Sequence, residues 1–153
     1  MVRLSALPKA EAEGLGNMPM PEYERTTLVE APRLSEARVA MISTAGLHRA
    51  DDRPFLPGAN DYRVIPGDVD FADLHLSHVS VNFDRSGFQQ DANTMFPLER
   101  LRTLAAAGEI GSVANWHYSF MGATSPEKME ETGGQVAKLL REDGVTAVLL
   151  VPV

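Results

Sequence analysis

The chain has 153 residues, 14 Lys plus Arg against 21 Asp plus Glu, a formal net charge of −7 and no cysteine. That length suits one compact domain able to bury roughly 70% of its extended surface, and the missing thiols exclude a disulfide framework, a thiolate metal centre and a cysteine nucleophile within these residues. The acidic balance, with basic residues scattered rather than striped, reads against a nucleic-acid partner, and no apolar run is long enough to span a membrane. Met1-Val2-Arg3 lacks the apolar stretch of a secretory leader behind it, so a cytoplasmic location is expected.

Residues 1–37 read as an arm. Ser5 to Leu15 has room for one or two helical turns with Ser5 as cap, after which Pro19 and Pro21 force extended backbone and Glu22 to Val29 shows no clean period. The arm drapes over the domain, contacts a neighbour or stays locally disordered. Order begins at Arg38. Val39-Ala40-Met41-Ile42 is a short apolar run that predicts a buried strand, ending in Ser43-Thr44-Ala45-Gly46. Leu47 to Asn60, rich in Pro, Asp and Gly, predicts a long loop, and Asp61 to Ile65 a shorter strand stopped by Pro66-Gly67-Asp68. Leu74 to Val81 reads as a strand with one polar side.

Pro97 suits the first position of a helix whose apolar spacing is Leu98, Leu101, Leu104 and Ala105, with Gly108 as terminator. Ile110 to Tyr118 predicts a turn and a strand. Ser125-Pro126-Glu127 predicts a second helix capped by Ser125, with Met129, Val136, Leu139 and Leu140 on its apolar stripe and Gly133-Gly134 weakening its middle. Asp143-Gly144 turns the chain into Val145 to Val151, whose unbroken apolar character predicts a central parallel strand; a place at the sheet edge is the alternative. This alternation predicts, over residues 38–153, an α/β domain with a mostly parallel sheet flanked by helices. Ligands are then expected beyond the carboxyl ends of the strands.

The densest functional chemistry lies between His78 and Asn93. His78 can move a proton near neutrality, Asp84 or Asp91 can orient it, Asn82 can bind a polar substrate, and Arg85 can pair with a substrate carboxylate. The same Asp, Asn and Ser residues also build Asx and capping turns that bind nothing. His117, between Trp116 and Tyr118, is a second acid–base candidate or else a satisfied core histidine. Ser43, Thr44 and Gly46 can cradle an anion with His48 beside them. No metal is expected, because His75 and His78 fall on opposite sides of a strand and no metal or nucleotide motif is present.

Four blocks in order carry a family resemblance: RVAMISTAGLHR from Arg38, DYRVIPGD from Asp61, HVSVNFDRSGFQQDANTMFPLERLR from His78, and EIGSVANWHYSFMGA from Glu109. They resemble the glycine/sarcosine/betaine reductase selenoprotein B family, in a short stand-alone form. The resemblance implies an oxidoreductase in which selenocysteine or cysteine, just after the strand that here reads VTAVLLVPV, displaces an amine from a small polar substrate. It also implies a thiol or protein reductant. No residue here can carry that nucleophile, so the chain as it stands is expected to be inactive. The full-length form is expected to continue past Val153, with a selenocysteine codon read as a stop. A homodimer is expected as well. A non-catalytic binding or assembly subunit of a redox system, and a hydrolase or lyase using the two histidines, are the rival readings.

Overall fold

The computed structural model describes residues 3–17, 29–80 and 84–153. Its strands are β1 (Arg38–Ser43), β2 (Leu47–Arg49), β3 (Arg63–Pro66), β4 (Leu74–Leu76), β5 (Ser112–Val113), β6 (Trp116–Ser119) and β7 (Ala147–Val151). The α-helices are α1 (Lys9–Gly16), α2 (Ser86–Gln90), α3 (Leu98–Ala106) and α4 (Glu130–Glu142). β1 runs parallel to β5, β6 and β7, while β3 joins the outer side of β6 antiparallel. β5 and β6 lie end to end on one flank of β1, pairing with its first and last residues respectively, and β7 takes the whole of the other flank.

Alternation along β1 divides the interior in two. Val39 and Met41 pack with Leu98 and Leu101 of α3; Ala40 packs with Tyr118 and with Val136 and Leu140 of α4. The fold is therefore the expected α/β arrangement, a mostly parallel sheet with helices on both faces. Each fully buried aliphatic side chain of this kind contributes about 2 kcal/mol of transfer free energy.

Several local expectations are corrected. Leu47 to Arg49 is not loop: it is β2, paired antiparallel with β4 in a separate two-stranded sheet. The strand expected over Leu74 to Val81 stops at Leu76, and Val81 lies outside the described residues. The loop before Pro97 contains α2. Pro97 itself is the residue before the first turn of α3, and Gly108, at φ +74°, ends that helix in the left-handed conformation open to glycine. Ser5 caps nothing, since it sits inside a short 3-10 turn and α1 starts after Pro8. Ser125 precedes a 3-10 turn leading into α4, but its hydroxyl bonds the Glu127 carboxylate instead of a backbone N–H.

The largest correction concerns β7. Among the described residues it pairs with β1 alone, and Val148 and Leu150 are 41% and 67% exposed. It is an edge strand. An unbroken apolar run reports that polar side chains are missing; it does not report how many neighbours a strand has.

Candidate functional site

The carboxyl ends of β1, β6 and β7 meet where Ser43 stands in register with both Ser119 and Val151. The chain leaves β1 through Thr44, Ala45 and Gly46, and every N–H of this turn is engaged. Thr44 donates to the Val151 carbonyl at 3.1 Å and Gly46 to the Phe120 carbonyl at 2.9 Å. Ala45 donates to Ser43 Oγ at 3.2 Å, and Leu47 to Ser119 Oγ at 2.8 Å. Ser43 Oγ in turn donates to the Met95 carbonyl at 2.9 Å. The turn expected to cradle an anion, Ser43, Thr44 and Gly46, uses these donors to hold the strand tips together.

Gly46 is the pivot. Its φ is +68°, and a Cβ there would lie 3.0 Å from Met121 Cε and 3.2 Å from the His78 nitrogen. Only glycine lets the backbone of His78 come so near. Ser77 fixes the approach, its N–H donating to the Gly46 carbonyl at 3.1 Å and its hydroxyl accepting the Phe55 N–H at 3.0 Å. The sequence offered no sign of this use of Ser77, a serine in a stretch that reads as strand.

His78 is nearly buried at 5% exposure, and its Nδ1 accepts the Ser80 N–H at 3.2 Å. The Arg85 guanidinium donates to the His78 carbonyl at 2.5 Å. Burial first, and then the nearby Arg85 charge, push the imidazole below its ordinary pKa, so the ring is neutral at neutral pH. Asp84 accepts the Ser86 N–H at 2.9 Å and Asp91 the Asn93 N–H at 2.9 Å. Bonds from the Ser86 and Asn93 side chains and N–H groups hold the two carboxyls below the usual carboxylate range. Both carboxylates thus hold local turns. Asn82 lies outside the described residues.

The other expected residues sit elsewhere. His48 is on β2, its Nδ1 2.8 Å from the Arg49 carbonyl and its ring 5.7 Å from that of its cross-strand partner His75. His117 is fully buried in β6, with Nδ1 accepting the Met41 N–H at 3.0 Å and the Phe96 ring edge-on at 5.8 Å. Its pKa is lowered to about 4, chiefly by burial. The structure brings Gly46, His78 and Arg85 together beside Thr44, and leaves His117 inside the sheet. Among the described residues, no group of three His, Asp or Glu side chains is arranged to hold a metal, and no helix is long and apolar enough to cross a membrane.

Two further features shape the surroundings. An open cleft of about 420 Å³ lies at the opposite, amino end of the parallel strands, between Pro66–Asp68 and Val113–Trp116. Near that end Asp143, which the sequence marks only as a turn residue, takes the Arg38 guanidinium at 2.6 Å and the Asn115 N–H at 2.8 Å. Ligands in such folds sit at the carboxyl end, so the chemistry is sought there and not in the cleft.

The family profile of "Glycine/sarcosine/betaine reductase selenoprotein B" matches residues 9–153. D-proline reductase subunit gamma of Acetoanaerobium sticklandii is 42% identical over 120 residues, covering 76% of this chain and 49% of its own length. The sarcosine reductase complex component B subunit beta of Peptoclostridium acidaminophilum is 31% identical over 138 residues, covering 86% of the chain and 32% of the relative. The glycine reductase complex component B subunit gamma of Carboxydothermus hydrogenoformans is 26% identical over 147 residues, again with 32% of the relative covered. The chain thus spans about half the length of the first relative and a third of the other two. No solved structure matches it.

Proposed function

The chain belongs to the glycine/sarcosine/betaine reductase selenoprotein B family, and from that premise we propose that it forms the substrate-shaping platform of a selenol- or thiol-dependent reductase. Its relatives are named for D-proline, sarcosine and glycine reduction, so the proposed substrate is a small amino acid or N-alkylated amino acid. A selenocysteine or cysteine from outside these 153 residues supplies the nucleophile, which displaces the amine and bonds the carbon fragment; one thiol of a dithiol reductant then attacks that selenium or sulfur, the fragment leaves with a proton in place of the amine, and the second thiol frees the selenol or thiol as the reductant closes to a disulfide. The proposed location is cytoplasmic, and partner subunits are expected because the relatives are components of reductase complexes.

The observation that carries the reading is the contact of His78 with Gly46 at the carboxyl end of β1. It puts a neutral imidazole, with Arg85 beside it, at the end of the sheet where α/β proteins take their ligands. His78 takes the proton released as the selenol or thiol becomes nucleophilic at Nδ1, in place of the Ser80 N–H that this nitrogen accepts, and Arg85 attracts the substrate carboxylate. His117 has no contact with substrate in this scheme, because its ring is spent inside the sheet.

Reading the gene beyond the codon for Val153 and assaying the resulting protein with a dithiol on D-proline, sarcosine, glycine and betaine tests the proposal. A downstream selenocysteine or cysteine, with thiol-dependent C–N cleavage (ring opening for D-proline, amine release for the others), is the expected result. Amine release by the 153-residue chain alone, with no selenol or thiol available, overturns it.

A second reading, an assembly subunit in which two copies pair, is favoured by one observation: β7, whose outer edge is unpaired among the described residues, carries exposed Val148 and Leu150 with no charged residue between them. Light scattering tests it, with self-association expected for the wild-type chain and lost in Leu150→Lys. A strictly monomeric wild-type chain rules it out.

A further inference from the structure

β7 does not end its connection to β1 at the last ladder rung. Past the paired residues Ser43 and Val151, the chain of β1 turns away, and the Thr44 side chain takes over the role of the ladder. Thr44 Oγ1 accepts the Val153 N–H at 2.8 Å and stands 3.3 Å from the Val153 carbonyl oxygen, to which its own hydroxyl donates. The Thr44 N–H meanwhile holds the Val151 carbonyl, and the Thr44 carbonyl accepts the Gly122 N–H at 2.8 Å. One residue thus ties the tip of β7 to β1 and to the loop after β6.

Gly122 closes the other side. A Cβ there would lie 2.6 Å from the Val153 carbonyl oxygen and 2.8 Å from that of Thr44, closer than side chains approach backbone. The Val151 carbonyl and the Val153 N–H both face Thr44, so Pro152 between them turns its nitrogen to the open edge, where no ladder donor is required. The result is a two-sided grip on one peptide at the carboxyl end of the sheet, adjoining the Gly46–His78 contact.

We infer that Thr44 is a positioning residue: its hydroxyl, backed by Gly122, fixes the direction in which β7 delivers its carboxyl end beside the Gly46–His78 contact. This rests on the reductase reading for its functional consequence, though the grip itself does not. A flexible delivery would leave the reacting groups in many geometries, and a fixed one holds them near a single productive arrangement. Hydroxyl chemistry matters here more than shape, since a methyl group in place of Oγ1 can neither accept from Val153 nor donate to it.

Amide hydrogen exchange on the 153-residue chain tests the grip, using Thr44→Val and Thr44→Ser. Thr44→Val is expected to speed exchange at Val153 by about tenfold, the factor one lost hydrogen bond gives, while exchange within β1 is unchanged. Thr44→Ser is expected to restore protection. Equal exchange at Val153 in all three proteins overturns the inference. In the redox-active form, Thr44→Val is expected to lower kcat by about tenfold with KM unchanged, and Thr44→Ser to recover it. Lost protection with unchanged kcat overturns the positioning role. An unsubstituted protein that reduces no substrate overturns the reductase reading instead, with the exchange result still deciding the grip.

Discussion

His117 stands in for a backbone carbonyl opposite Met41: its Nδ1 accepts the Met41 N–H at 3.0 Å, in the stretch of β1 that neither β5 nor β6 pairs. A neutral imidazole can do this and an imidazolium cannot. The unfolded chain takes up this proton near pH 6.5 and the folded chain only near about 4. The unfolded state therefore binds more protons between those values, and stability falls as pH drops through that window, by on the order of 3 kcal/mol. Denaturant melts at pH 7 and pH 4.5 check it. His117→Leu is expected to flatten the difference and to cost about 2 kcal/mol at pH 7, through the unmatched Met41 N–H.

Asp143 titrates with the same sign, in the carboxylate range. Burial alone would raise its carboxyl, but bonds from Arg38, Asn115 and Trp116 outweigh burial and hold it below the ordinary value. Its contribution is present above the unfolded carboxylate pKa and is lost as pH falls through the lower folded one. Asp143→Ala is expected to destabilise by about 2 kcal/mol, since it leaves the Asn115 and Trp116 N–H groups without this acceptor and takes the carboxylate from the Arg38 guanidinium, which keeps the Asp143 and Val113 carbonyls. Chemical denaturation at neutral pH measures this.

Two glycines with positive φ separate backbone strain from crowding. Gly108 has nothing within 4 Å of its absent Cβ, whereas Gly46 faces His78 and Met121. Gly108→Ala is expected to cost about 1 kcal/mol and Gly46→Ala clearly more, with NMR shift changes reaching His78 only in the second. Equal melting midpoints for the two variants would contradict the tight contact.

The Arg85 charge is one of two influences that depress His78. Arg85→Gln is expected to raise the His78 pKa without returning it fully to 6.5, because burial, the larger cause, remains. An NMR titration of the imidazole reads the shift directly.

The layered α/β fold was legible in the sequence because β1, α3 and α4 each carry an unambiguous apolar period and clear end signals. The pairing of Leu47–Arg49 with Leu74–Leu76 was not, since three-residue strands carry too little pattern to separate from loop. Among site residues, the aspartates illustrate the limit. Asp84 and Asp91 have the composition of a ligand site and the bonding of turns, and residue type alone is the same for both. Thr44 reads in sequence as part of an anion-binding turn; its hydroxyl meets Val153, 109 residues further along the chain, which no local pattern could supply.

That separation bears on how the chain is made. Among the described residues, β1, at the middle of the sheet, takes its strand partners from residues 112–119 and 147–151. While a ribosome adds the roughly hundred residues between Ser43 and Ala147, a matter of about 5–20 seconds at ordinary translation rates, Val39–Ile42 has one flank or both unzipped. Newborn chains of this protein should therefore be clients of a co-translational chaperone, and a hydrophobic-peptide holdase at the exit tunnel would have its first target in those four residues.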